Sequence, residues 1–210
     1  MKPEKKVETV LGLLKDEYPV IKTALTWENP VQLLVATILS AQCTDKRVNL
    51  VTKEIFKKYR TAQDFAEADP LTFEKEVHST GFYHNKTKNI IGAAQLIIDN
   101  FGGTVPDSME DLIKLPGVAR KTANIVLSNA FEKLEGIAVD THVKRLSYRL
   151  GVTKNRDPDK IEQDLMKITP RKEWSNLSHL LIFHGRAVCH ARKPAHEKCV
   201  LYSLCPSKEI

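Results

Sequence analysis

Residues 115–123 read Leu115-Pro116-Gly117-Val118-Ala119-Arg120-Lys121-Thr122-Ala123. A short helix, Asp111 to Lys114, is expected to run into the Pro-Gly pair, and a second helix to start at once. Pro116 fixes φ and Gly117 permits the tight turn. The second helix then opens with backbone N–H groups that lack intrahelical acceptors, at the positive end of its dipole. Such a hairpin is a seat for phosphate and can hold a DNA backbone without reading bases. A plain connection between two helices can carry the same three letters. Arg120 and Lys121 in the first turn, with an apolar helix behind them, strengthen the phosphate reading.

The pattern on either side of the hairpin is also helical. Val31, Leu34, Val35, Ile38 and Leu39 repeat at helical spacing, and so do Ile90, Ile91, Ala94, Ile97 and Ile98. Boundary signals agree with that period. Asn29-Pro30 and Asp157-Pro158 open helices, Asp107-Ser108-Met109-Glu110 offers a capping box, and Gly102-Gly103 ends a helix. No turn dipeptide joins two alternating apolar runs, so the sequence predicts an all-α protein of roughly ten helices. It shows no internal repeat, no low-complexity segment and no Ser/Gly-rich linker.

Composition sets wider bounds. At 210 residues, with 42% hydrophobic and 28% charged, the chain suits one large domain or two small ones with a buried core. That balance excludes a disordered, collagen-like or membrane-spanning chain. The apolar run Val31 to Leu39 is about half the length that spans a bilayer. No apolar segment follows Met1-Lys2-Pro3-Glu4-Lys5-Lys6, so no signal peptide is read, and an intracellular place in the cytoplasm or nucleoid is expected. The net charge of +6 fits a partner that is a polyanion, although solubility alone can also call for it.

Two residues stand out as chemistry. Lys121 lies near a helix N-terminus, where the dipole disfavours a protonated amine; partial burial would act the same way, and a neutral amine is a nucleophile. Asp140, in Val139-Asp140-Thr141-His142-Val143, starts another helix. It reads either as a cap or as a carboxylate aimed into a cleft beside Lys121. Of four cysteines, Cys43 stands alone and is expected to be a small packed residue. Cys189, Cys199 and Cys205 crowd into the last 22 residues, which in an intracellular chain favours a metal or cluster over disulfides.

Taken together, these segments resemble the endonuclease III family of DNA glycosylases, within the helix-hairpin-helix superfamily. The match also includes Leu39-Ser40-Ala41-Gln42 and Gly81-Phe82-Tyr83-His84-Asn85-Lys86, and it runs from about Asn29 to Cys205. It implies a six-helix barrel over 23–134, with the hairpin motif at about 107–127. It also implies a second, cluster-bearing part made of 1–22 with 135–210, and duplex DNA bound across the cleft between the parts. Lys121 matches the family's catalytic lysine and Asp140 its catalytic aspartate. The implied activity removes oxidised pyrimidines from DNA, then cuts abasic strands by β-elimination. Leu115, Gly117, Ala119, Arg120 and His142 are expected at the DNA, with Gln42 and Phe82 filling the gap that base flipping leaves. Ala119 departs from the family's usual glycine, and its N–H is expected to serve phosphate all the same.

The C-terminal register departs further. Cys189, six residues, His196, two residues, Cys199, five residues and Cys205 match the four-cysteine pattern that holds a [4Fe-4S] cluster, except for His196. A Cys₃His cluster is the leading expectation. Tetrahedral zinc, or no metal, stands as the alternative. His184 and His190 lie outside the register and read as structural. Arg192 and Lys193, in the loop from His190 to Ala195, are expected to grip phosphates. A mismatch-directed glycosylase and a non-catalytic helix-hairpin-helix DNA-binding protein are the competing functions. Lysine at 121 argues against the first, and Lys121 with Asp140 against the second. The protein is expected to be a monomer.

Overall fold

The computed structural model describes residues 1–21 and 23–208. Among these, eleven α-helices and four 3₁₀ turns alternate with short loops, and there is no strand. The chain divides into two compact units, 23–133 and 1–22 with 134–210.

The first unit holds α2 (Pro30–Leu39), α3 (Asp45–Lys58), α4 (Ala62–Ala66), α5 (Pro70–Val77), α6 (Tyr83–Phe101), α7 (Met109–Leu112) and α8 (Arg120–Ala130). Two of these, α4 and α7, are short pieces of five and four residues. Helix α2 is apolar all round because it is buried all round, from Val31 to Leu39. Its buried Gln32 accepts from the Glu28 N–H at 2.8 Å, and Thr37 donates to the Leu33 carbonyl at 2.7 Å. Phe65 stacks on Tyr59, and Phe73 packs edge-on to both rings.

The caps explain where these helices begin and end. Asn29 accepts from the Gln32 N–H, with Pro30 at the first helical position. Gly102, at φ 59, is the left-handed stop of α6. One boundary differs from expectation. The helix read as Asp111 to Lys114 is Met109–Leu112, because Ser108 takes the cap and accepts from the Asp111 N–H.

The second unit packs α1 (Pro3–Glu17), α9 (Thr141–Arg149), α10 (Pro158–Ile168) and α11 (Trp174–Ala187) around Val10, Leu14, Val143, Leu146, Ile161, Leu165, Leu177 and Leu180. Asp157 caps α10. Among the described residues beyond α11 the regular elements are two 3₁₀ turns, His196–Lys198 and Tyr202–Leu204. Among the described residues no helix is long and apolar enough to cross a membrane.

Candidate active site

The hairpin stands on α6. Gly117 sits at φ 77, and a Cβ there would lie 2.9 Å from Asn89 Cβ, so both conformation and space demand glycine. Pro116 rests on Gly92, where a side chain would meet its ring at 3.4 Å. Leu115 offers no side-chain surface: it is 2% exposed, and its N–H donates to the Leu112 carbonyl. It roots the hairpin in the core while Gly117 and Ala119 lie outside.

Helix α8 has no side-chain cap. Its N-cap, Ala119, is at φ −92 and ψ 171, a conformation any L-residue adopts, so alanine is free of strain there. The first-turn N–H groups therefore face outward with Arg120 and Lys121. Lys121 is exposed.

Asp140 is the N-cap of α9. Its Oδ1 accepts from the His142 and Val143 N–H groups, both at 2.8 Å. The carboxylate is thus held in one orientation by backbone, and the cap reading is met. His142 is half-buried against Gly185, where a Cβ would fall 2.8 Å from its Nδ1. Burial pushes its imidazole below the usual value, and Arg145 lies 3.1 Å from Nδ1.

Gln42 and Phe82 share a rare backbone state. Gln42 is at φ 53 and Phe82 at φ 50, left-handed in both cases without being glycine. Phe82 is 61% exposed, at the N-cap of α6. A bulky residue in this region is strained by about 1–2 kcal/mol. Lys193, at φ 52, is a third such residue, beside Arg192 in an exposed loop.

That loop is braced from within its own unit. The Ala195 N–H donates to the Val188 carbonyl, closing the loop at 3.0 Å. Arg149, itself buried, donates to the His190 carbonyl at 2.7 Å and to the Ala191 carbonyl at 3.0 Å. Arg145 donates to the Cys189 and Gly185 carbonyls. Neither arginine was singled out from sequence. Their four-residue spacing on α9 was the available signal.

Cys189, His196, Cys199 and Cys205 line one small pocket with Arg149 and Tyr202. All three thiols are free. Among the described residues no three thiol, imidazole or carboxylate groups converge on a single-ion site. Thiolates are the donors that iron–sulfur clusters take. Sulfur also has protein donors: Arg149 Nη1 lies 3.2 Å from Cys189 Sγ and His184 Nε2 lies 3.3 Å from Cys199 Sγ. His184 is 1% exposed, and burial pulls its pKa down to about 4, so the ring is neutral. With its proton on Nε2, it donates to the sulfur and accepts from the Tyr18 hydroxyl at Nδ1, 3.1 Å away.

The segments that carry the hairpin, the aspartate cap and the cysteines fall within stretches that match known families. Residues 35–171 match the HhH-GPD superfamily of base excision DNA repair proteins, and residues 189–205 match the iron–sulfur binding domain of endonuclease III. The endonuclease III of Synechocystis sp. is 56% identical over 200 residues, covering 95% of this chain and 91% of that one. The chain belongs to the endonuclease III family. Two solved structures agree. A non-covalent endonuclease III–DNA complex superposes with a TM-score of 0.94 at 42% identity, covering 99% of this chain and 97% of that chain. A trapped endonuclease III–DNA covalent intermediate gives the same score and identity, covering 99% and 98%. As an endonuclease III family member, the protein is a base-excision DNA glycosylase with abasic-site lyase activity, and its C-terminal segment is an iron–sulfur region.

Proposed function

We propose that this protein excises oxidised pyrimidines from duplex DNA with Lys121 as nucleophile and Asp140 as its catalytic carboxylate. The observation that carries the assignment is an exposed lysine in the first turn of an uncapped helix, directly behind a hairpin suited to phosphate. The outward N–H groups of α8, with Gly117, Ala119 and Arg120, hold the DNA backbone. A damaged base leaves the stack before an amine can reach its sugar. The Lys121 amine bonds to C1′, the C1′–N bond breaks, and the base departs with its bonding electrons. The Schiff base then acidifies the C2′ proton. Loss of that proton expels the 3′ phosphate oxygen and cuts the strand, and water later releases the lysine. Asp140, oriented by two N–H groups, assists ring opening and proton transfer.

Gln42 and Phe82 fill the gap from which the base has left, one with an amide and the other with an apolar wedge. Their strained backbones hold the two side chains outward in advance, a use to which such strain is often put. His142, Arg192 and Lys193 add contacts to phosphate. The protein works as an intracellular monomer at the nucleoid.

Cys189, His196, Cys199 and Cys205 hold a [4Fe-4S] cluster, which when bound ties the C-terminal loop together. The donor set and the match over residues 189–205 support this ligation.

Borohydride trapping on duplex DNA with an oxidised pyrimidine tests the nucleophile. Wild type is expected to give a covalent adduct and Lys121→Ala none; an adduct with Lys121→Ala would overturn the assignment. Iron and sulfide analysis of anaerobically purified protein is expected to give about four of each. His196→Ala should then yield a more labile cluster with an altered spectrum, and an unchanged spectrum and lifetime would remove His196 from the ligand set.

A further inference from the structure

Lys86 lies in the first turn of α6 and is 4% exposed. Among the described residues its ammonium meets carbonyls and no carboxylate: Leu39 O at 2.8 Å and Thr80 O at 2.9 Å. Both are terminal groups. Leu39 closes α2, and Thr80 closes the 3₁₀ turn His78–Thr80, so neither carbonyl has a helical donor. The chain reaches Gln42 three residues after Leu39, and Phe82 two residues after Thr80. One buried cation therefore ties the roots of both loops that carry the strained, exposed residues.

Hydrophobic packing does not explain that cation. Removing an ammonium from water is costly, and an aliphatic side chain would fill the same space without the penalty. The ammonium adds a three-way tie that no apolar residue can make. Burial also pulls its pKa below the ordinary lysine value.

We propose that Lys86 is a positioning residue for lesion recognition: by pinning Leu39 and Thr80 it sets the separation and aim of Gln42 and Phe82, so that both enter the base stack together. The inference rests on the reading of those two residues as gap-fillers. It assigns Lys86 no contact with DNA.

The test compares two substrates in single-turnover trapping. One is a duplex carrying an oxidised pyrimidine, which must be opened. The other is a single-stranded oligonucleotide with an abasic site, whose sugar is accessible without any gap to fill. The ratio of the two rates cancels any loss of folded protein. Lys86→Met is expected to lower the duplex-to-single-strand ratio on the order of tenfold to a hundredfold, the scale of a 1 Å misplacement. It should also weaken the fluorescence rise of a 2-aminopurine placed beside the lesion. Lys86→Gln, which keeps a donor, is the second variant should the methionine protein fail to fold, and is expected to fall between Met and wild type.

Gln42→Ala and Phe82→Ala are measured alongside. If they lower the ratio while both Lys86 variants keep it, the Lys86 inference is wrong and the gap-filling reading stands. Equal losses on both substrates for the Lys86 variants would make Lys86 a plain scaffold residue and overturn the inference. An unchanged ratio for Gln42→Ala and Phe82→Ala removes the gap-filling reading and the Lys86 inference with it.

Discussion

Replacing Asp140 by asparagine and by alanine separates its two jobs. Oδ1 accepts two N–H groups at 2.8 Å and caps α9. An asparagine carbonyl accepts the same pair, and asparagine ranks with aspartate as an N-cap. Asp140→Asn thus gives up only the charge–dipole attraction, about 0.3–1 kcal/mol. Asp140→Ala gives up the cap, about 1–2 kcal/mol. For a chain of this size each kcal/mol moves Tm by about 2–4 °C. Alanine should therefore lower Tm by roughly 2–8 °C, and asparagine by less. Excision behaves differently. Both variants lack the carboxylate, and loss of general acid–base assistance slows turnover by about 10²–10⁴-fold. Stability cannot cause that slowing, because a domain with roughly 5–15 kcal/mol in hand stays folded after losing 2. The assays are thermal unfolding and single-turnover excision on the same preparations, with binding to uncleaved duplex as a control. Full turnover in Asp140→Asn would reduce Asp140 to a helix cap. A Tm loss in asparagine as large as in alanine would show that the charge, not the hydrogen bonds, holds the cap.

Other perturbations have equally definite outcomes. Gly117→Ala sets a Cβ 2.9 Å from Asn89 at φ 77; it should lower stability by about 1–3 kcal/mol and weaken binding to undamaged duplex, and a neutral effect on both would refute the close packing of the hairpin. Phe65→Ala empties a fully buried site among Phe56, Tyr59 and Phe73, for a loss of about 3–5 kcal/mol in urea unfolding. Asp64 accepts from the Arg60 and Thr61 N–H groups, which hold its carboxyl below the usual range. A lowered folded-state pKa stabilises above the unfolded value, about 3.9, and that stability fades as pH falls through the folded value. The stability difference between wild type and Asp64→Ala should be full at neutral pH and shrink in acid; a difference that grows in acid contradicts the sign.

Much of the helical framework was legible in the sequence because its signals are local. Asn29 with Pro30, Asp157 with Pro158 and Gly102 each act on backbone within one turn, so residue type and spacing suffice. The misplaced boundary, at Met109–Leu112, lies where Ser108 takes the cap. The hairpin was legible for the same reason: a left-handed turn at position 117 calls for glycine whatever surrounds it. The cysteine register was legible as spacing, and its histidine as a departure from it.

Tertiary structure alone decided the rest. Lys86 reads in sequence as one more surface lysine on a helix, and its burial follows from a carbonyl 47 residues away. Arg149 braces the basic loop from 41 residues away, and His184 meets Cys199 across 15. No propensity or cap marks such contacts, because they arise only once collapse has set one helix end against another. The same holds for exposure. Lys121 is exposed, while the side chain of Leu115 lies in the core. Hydrogen bonds within a helical turn are dictated by neighbours in the chain. The polar groups left over at helix ends take whatever partner packing brings, and in this protein those ends carry the candidate site.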